Sequence, residues 1–261
     1  MIGKLYFSKN ATETSKKNIS KIIENNSNII KSLSKDFIFC LGGDGTFLHA
    51  VFSERKNVDN AIFIPIACEA TLGFFVEFHE NENFHETFKE IVSSCEKSQV
   101  KEIPLISIYF DDEKNPYYAV NEIKGMTSIN TVTYKIDIDS ENLYKNIRSS
   151  GFYISSRYGS TGFNKSYYGP ILLTNNYVYK DIVPVNNKAL KVLDSHLILG
   201  NKAEILLEGN FTDLLFTCDG LQIKKSNVKK IKIVTGEKCV KMLQNKNFNK
   251  THLDKIKGAF L

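Results

Sequence analysis

The chain has 261 residues, 42% of them hydrophobic, enough for one large domain or two modest ones with a sizeable core. Its 34 Lys and Arg against 29 Asp and Glu leave a formal charge of +5, compatible with anionic ligands such as nucleotides but too small and dispersed for a nucleic-acid surface. No apolar run approaches the ~20 residues that span a bilayer, and no secretory signal is read ahead of the first strand. Five widely spaced cysteines, Cys40, Cys68, Cys95, Cys218 and Cys239, fit reduced thiols in a cytoplasmic protein and form no metal-ligand spacing. The densest basic run, Lys224 to Lys230, reads as a solvated edge.

In chain order, Lys4–Phe7 predicts a short strand. Residues 13–34 predict an amphipathic helix, with Ile19, Ile22, Ile23 and Ile30 near helical spacing. Phe37–Leu41 is an apolar strand, followed by glycines and then a helical segment. Ala61–Ile66 is another apolar strand. Residues 81–94 predict a helix with Phe84, Phe88 and Ile91 on one side. Apolar strands alternating with helices imply a parallel sheet covered on both faces. From about residue 100 the texture changes to short β-type runs at 105–110, 117–120, 131–138, 152–155, 204–207, 214–218 and 228–234. These predict an antiparallel β domain. The tail from Lys238 has helical character and is expected to return to the first domain. The expected division is an α/β nucleotide-binding domain over 1–99, completed by 238–261, and a β-rich domain over 100–237. The fold class is thus α/β plus β, the second domain antiparallel and sandwich-like.

The stretch Phe39–Ala50, "FCLGGDGTFLHA", puts an aspartate inside a glycine run behind a strand. Gly42, Gly43 and Gly45 are expected to allow positive φ and close approach of a ligand to the main chain. The segment that follows can offer helix N-terminal amides to an anion. The run is neither GxGxxG nor a Walker loop. Asp44 is read either as a turn former or as a carboxylate that takes a proton from an attacking hydroxyl or helps to hold Mg²⁺, as phosphoryl transfer requires.

"LGGDGTFL" resembles the signature of the NAD kinase family. "TLGFF" at 71–75, "YYAVNEI" at 117–123, "GSTGFNKS" at 159–166 and "CDG" at 218–220 are similar to four more of its motifs, in family order, over about four-fifths of the chain. The resemblance implies transfer of the γ-phosphate of ATP to the 2′-hydroxyl of the adenosine ribose of NAD, giving NADP. It implies Asp44 as general base, with Mg²⁺ or another divalent cation accompanying ATP and no tightly held prosthetic group. Gly42, Gly43, Thr46 and Arg157 are assigned to phosphate. Gly45, Phe74, Asn121, Glu122, Ser150, Tyr158, Thr161, Gly162, Phe163 and Ser166 are assigned to NAD, with Asn164 in the same segment. The resemblance also implies a homodimer or homotetramer built through the β-rich domain, and ATP or polyphosphate as donor.

The chain departs from the family pattern in places. Gly162 and Phe163 stand for Ala and Tyr. Ser150-Gly151 stands for Asp-Gly. Ser156-Arg157-Tyr158-Gly159 lacks the usual proline, and Cys68-Glu69-Ala70-Thr71 places a carboxylate and a Cβ where glycine is common. Two alternatives stay open on the sequence: a non-catalytic nucleotide-binding relative acting as sensor or partner subunit, and a lipid or polyol kinase of the same superfamily.

Overall fold

The computed structural model describes residues 3–9, 11–33, 36–68, 73–79, 84–128, 130–183, 193–245 and 250–260. The readings at Glu69, Ala70 and Thr71, and the expected helix start at 81–83, lie outside the described residues. The chain forms two compact units, Met1–Ile103 with Cys239–Leu261, and Pro104–Lys238.

In the first unit come β1 (Lys4–Phe7), α1 (Glu13–Asn25), α2 (Ser27–Ser32), β2 (Asp36–Leu41), α3 (Asp44–Ser53), β3 (Ala61–Ala67), β4 (Phe78–His79) and α4 (Phe84–Glu96). Strands β1, β2 and β3 pair in parallel, with Leu5 opposite Phe39 and Phe39 opposite Ile64, and β4 continues in parallel at Ile66 and Phe78. Every residue of β3, and all of β2 after Asp36, is buried, as expected of strands covered on both faces. Alternation divides them. Phe37, Phe39, Leu41, Ile62, Ile64 and Ile66 form one cluster with Ile19, Ile23, Ile30, Phe84, Phe88 and Ile91 from α1, α2 and α4. Residues of the opposite parity meet α3, where the Phe47 and Phe63 rings lie 5.9 Å apart.

The predicted single helix over 13–34 is two helices. Thr12 caps α1 through the Ser15 amide. At Asn26 the side-chain amide donates back to the Ile22 carbonyl at 2.8 Å. This local competition with the helix ladder ends α1, and α2 begins at Ser27.

The second unit takes in most of β5 (Val100–Phe110), then β6 (Tyr117–Ala119), β7 (Glu122–Met126), β8 (Val132–Ile138), β9 (Glu141–Ser149) and β10 (Gly151–Ser156). A 3-10 turn, Gly159–Thr161, leads into α5 (Phe163–Ser166). Then come β11 (Tyr177–Asp181), β12 (Leu197–Leu199), β13 (Ala203–Gly209), β14 (Leu215–Cys218), β15 (Leu221–Ile223) and the first part of β16 (Lys230–Leu243). One sheet has the order β12-β11-β10-β7-β14-β15, antiparallel throughout. The other runs β16-β13-β8-β9, also antiparallel, with β5 beside β16 and β6 beside β5. Rings join the two sheets: Phe110 to Phe216 at 4.9 Å and Tyr134 to Phe152 at 6.5 Å.

Strand β16 outruns its prediction. Residues Lys230–Thr235 pair with β13, and Lys241 and Met242 pair in parallel with β3 of the first unit. Among the described residues, helical structure in the tail is α6 (His252–Phe260). Buried Val240, Met242 and Leu243 hold the strand to its later end. Among the described residues no cysteine forms a disulfide. Among the described residues no helix is long and apolar enough to cross a membrane.

Candidate functional site

The predicted residues gather in two groups, one in each unit. In the first unit Gly43 is the N-cap of α3 and makes no side-chain cap bond, and Asp44 opens the helix. Of the three glycines, Gly42 alone has positive φ, +153°, and a Cβ there would lie 2.4 Å from Thr46 Oγ1 and 2.7 Å from Ser8 Cβ. Gly43 has φ −84°. Gly45 sits in the first turn of α3, where a Cβ would meet nothing within 4 Å. Its own backbone therefore does not require glycine, whereas the close approach of a ligand would.

Asp44 does not bond its own turn. Oδ2 accepts the Phe74 amide at 2.8 Å and Oδ1 the Phe75 amide at 2.9 Å. A carboxylate has about four acceptor positions, so two amides leave capacity for a substrate hydroxyl. Gly73 permits this seat, since a Cβ there would lie 2.5 Å from Asp44 Oδ1. Burial raises the Asp44 pKa, while the two amides and the Lys255 ammonium pull it down. Phe75 is core, its ring tilted against that of Phe47 with centroids 4.9 Å apart. Phe74 is half-buried and lies 5.9 Å from the His252 ring.

In the second unit Asp219 organises the Asn121–Glu122 turn. Its carboxylate accepts the amides of Val120 at 2.8 Å, Asn121 at 2.8 Å and Glu122 at 3.0 Å. Burial, with the Glu122 charge beside it, lifts its pKa to about 7 against those amides. Asn121 Oδ1 is buried and has no partner among the described residues, an acceptor that a ligand amine can satisfy. Burial also raises the Glu122 pKa, and Lys124 opposes it. Lys124 Nζ lies 3.6 Å from Glu122 and 4.1 Å from the centre of the Phe163 ring, linking β7 to α5.

The 156–159 turn docks on the same peptide. The Ser156 amide donates to the Asn121 carbonyl at 2.8 Å and Ser156 Oγ to the Val120 carbonyl at 2.6 Å. A Cβ on Gly159 would lie 2.4 Å from the Asn121 carbonyl. Three motifs far apart in sequence, 117–123, 159–166 and 218–220, thus meet. Arg157 reaches Asn175 through Nη1 at 3.1 Å and stacks 5.4 Å from the ring of buried Tyr158. Its Nε is buried with no partner among the described residues.

Other predicted residues also make bonds and contacts within the fold. Thr161 Oγ1 bonds the Tyr158 carbonyl and Ser166 Oγ the Phe163 carbonyl. Asn164 is fully buried, its amide engaged by Tyr153 and by the Pro170 and Ser160 carbonyls. Phe163 packs 4.9 Å from Tyr167 and edge-on to Tyr153. At Gly162 the nearest atom to a Cβ would be 3.6 Å away, so the family's alanine would fit and glycine leaves open space. Ser150 donates its amide to the Ile182 carbonyl and accepts from the Thr127 amide. Gly151 after it has φ +136°, and a Cβ would be 2.0 Å from the Gly125 carbonyl. Gly73, Lys255 and Asp219 were not among the predicted site residues. "TLGFF" and "CDG" pointed towards Gly73 and Asp219 without a role, and nothing in the sequence pointed to Lys255.

No protein-family model matches the chain. Over 192 residues it is 30% identical to the NAD kinase of Limosilactobacillus reuteri subsp. reuteri (strain JCM 1112), covering 70% of this chain and 68% of that protein. Among solved structures it is similar to an NAD kinase from Archaeoglobus fulgidus in complex with ATP. The TM-score is 0.68 at 18% identity, covering 98% of this chain and 99% of the other. It is also similar to a yeast NADH kinase complexed with NADH, with TM-score 0.63 at 23% identity over 86% of this chain, and spans 64% of the yeast chain. At these identities the two structures establish the fold.

Proposed function

We propose, from the premise that this chain belongs to the NAD kinase family, that it phosphorylates NAD with ATP and that Asp44 is the base. The observation that carries the reading is the Asp44 carboxylate itself. It stands at the first position of α3, each oxygen held by one backbone amide. In the reaction the 2′-oxygen of the adenosine ribose forms a bond to the γ-phosphorus. The bond from that phosphorus to the β–γ bridging oxygen breaks, and the hydroxyl proton passes to Asp44. A ribose hydroxyl is a weak acid, so the proton leaves late, as the new P–O bond develops. Burial makes Asp44 more basic than an exposed carboxylate, which favours that transfer.

Among the described residues no group of three or more His, Cys, Asp or Glu could hold a metal ion. A divalent cation that arrives on the ATP phosphates would neutralise their charge. Gly42, Gly43, Gly45 and Thr46 at the head of α3 take phosphate through the backbone. Asn121 and Glu122 take the adenosine. Asn121 Oδ1 accepts from an amine and Glu122 from a hydroxyl. Phe74 and Phe163 supply ring faces, and Arg157 supplies an anion contact. Ser150, Tyr158, Thr161, Gly162 and Ser166 line the rest of the NAD site. The reading includes a homodimer or homotetramer joined through the β-rich unit, supported by Tyr168, Leu173 and Ile198, which are 96%, 58% and 59% exposed. It also includes a cytoplasmic setting, supported by five cysteines that stand outside any disulfide.

The test is direct. Purified protein is mixed with NAD, Mg²⁺ and either ATP or polyphosphate, and NADP is read with an NADP-specific dehydrogenase. NADP formed in step with ADP from ATP, or formed with polyphosphate as donor, supports the reading. No NADP, with NAD binding intact by calorimetry, means a non-catalytic nucleotide binder.

A further inference from the structure

The loop that holds Asp44 is itself gripped from the C-terminal helix. Lys255 of α6 donates from Nζ to the Phe74 carbonyl at 2.6 Å and to Glu77 Oε1 at 3.1 Å. One turn earlier, His252 lies against the Phe74 ring. The Lys255 and Glu77 side chains are 8% and 5% exposed.

The Phe74 carbonyl and the Phe75 amide belong to one peptide group. Lys255 binds the oxygen of that group, and Asp44 Oδ1 accepts its N–H at 2.9 Å. The chain of bonds runs ammonium, carbonyl, amide, carboxylate. A cation on the carbonyl polarises the peptide and strengthens its N–H as a donor, since linked hydrogen bonds reinforce one another at low dielectric. Glu77 fixes the ammonium on its other side. Lys101 is a further charged group acting on Glu77.

Seating a helix does not require this arrangement. A buried ion pair is often matched or bettered by apolar residues of similar volume. The pair does, however, place an ammonium on the oxygen of one peptide, and the N–H of that peptide donates to Asp44. We infer that Lys255 is a positioning residue for phosphoryl transfer, acting through the 74–75 peptide on Asp44. The inference rests on Asp44 being the base.

The experiment compares the full-length protein with Lys255→Met, Lys255→Arg, Asp44→Asn and the double variant Lys255→Met/Glu77→Gln. It measures kcat, the KM for NAD, NAD affinity by calorimetry and thermal midpoint. Lys255→Met is expected to lower kcat roughly 10- to 100-fold, the cost of a small misplacement of a reacting group. KM and NAD affinity should stay within about twofold of the parent. Lys255→Arg should recover most of kcat, because a guanidinium can donate to carbonyl and carboxylate together. The double variant strands no buried carboxylate. It should fold with a midpoint near the parent's and keep the kcat loss. Parental kcat in the double variant overturns the inference, and so does a parallel loss of NAD affinity. If Asp44→Asn is inactive while the double variant turns over normally, the positioning role alone fails. If Asp44→Asn turns over normally, the base assignment falls and the inference with it.

Discussion

The buried carboxylate of Asp219 accepts the backbone amide of Asn121 at 2.8 Å. With the Val120 and Glu122 amides added, one side chain aims three consecutive peptides. Asp219→Asn would turn an NH₂ group towards at least one of those amides. Hydrogen bonds to charged groups contribute about 1.5–3 kcal/mol each. The expected outcome is a KM for NAD raised roughly 10- to 100-fold, with a lowered thermal midpoint and a smaller change in kcat. Steady-state kinetics and thermal unfolding check it. A parental KM would show that the turn holds its shape without Asp219.

The same residue predicts a pH effect. With a pKa near 7, Asp219 gains a proton as pH falls through neutrality, and one oxygen then presents a hydroxyl to a backbone N–H. The KM for NAD should rise as pH drops below about 7. Asp44, raised by burial, must be ionised to act. Its protonation should lower kcat on an acid limb lying above the ~3.9 of an exposed aspartate. Profiles of kcat and of KM against pH separate the two groups. A kcat flat down to pH 4 would contradict the role given to Asp44.

Two glycines beside Asp44 should behave oppositely. Gly73→Ala drives a methyl to 2.5 Å from Asp44 Oδ1, and the displaced carboxylate should cost about 10²-fold in kcat. Gly45→Ala meets no protein atom within 4 Å. It should stabilise α3 by about 0.5–1 kcal/mol while weakening ATP binding, because the methyl occupies the approach to the backbone. Unfolding midpoints and the KM for ATP measure both effects. A Gly45→Ala enzyme with unchanged KM for ATP would remove Gly45 from the phosphate site.

Arg157 holds Asn175 with one nitrogen and buries a second without a partner among the described residues. Arg157→Ala should raise the KM for one phosphate-bearing substrate about tenfold, in line with one charge-assisted bond. Unchanged constants for both ATP and NAD would leave it a packing residue on Tyr158.

The α/β-plus-β class was legible because its signals are local. Strands β2 and β3 are unbroken apolar runs, and such runs identify themselves. Strand β9 was not, because its first six residues are exposed. It is held by its ladder with β8, and pairing leaves no mark on composition. The break at Asn26 depended on one side-chain amide turning back on its helix. At the site, the motifs marked Asp44, Asn121 and Glu122 as chemistry-bearing. They could not show that amides 30 and 31 positions on hold Asp44, or that Lys255 reaches a carbonyl 181 positions away. Those contacts are made by chain topology.

The role of Asp44 as base is put to the sharpest test by the Asp44→Asn variant, assayed for NADP formation and titrated with NAD in parallel. Asparagine keeps the size of the side chain and can accept no proton from the ribose. Turnover should fall by at least 10²-fold, the range of general-base contributions, with NAD affinity within a few-fold of the parent. Near-parental turnover in that variant would contradict that role.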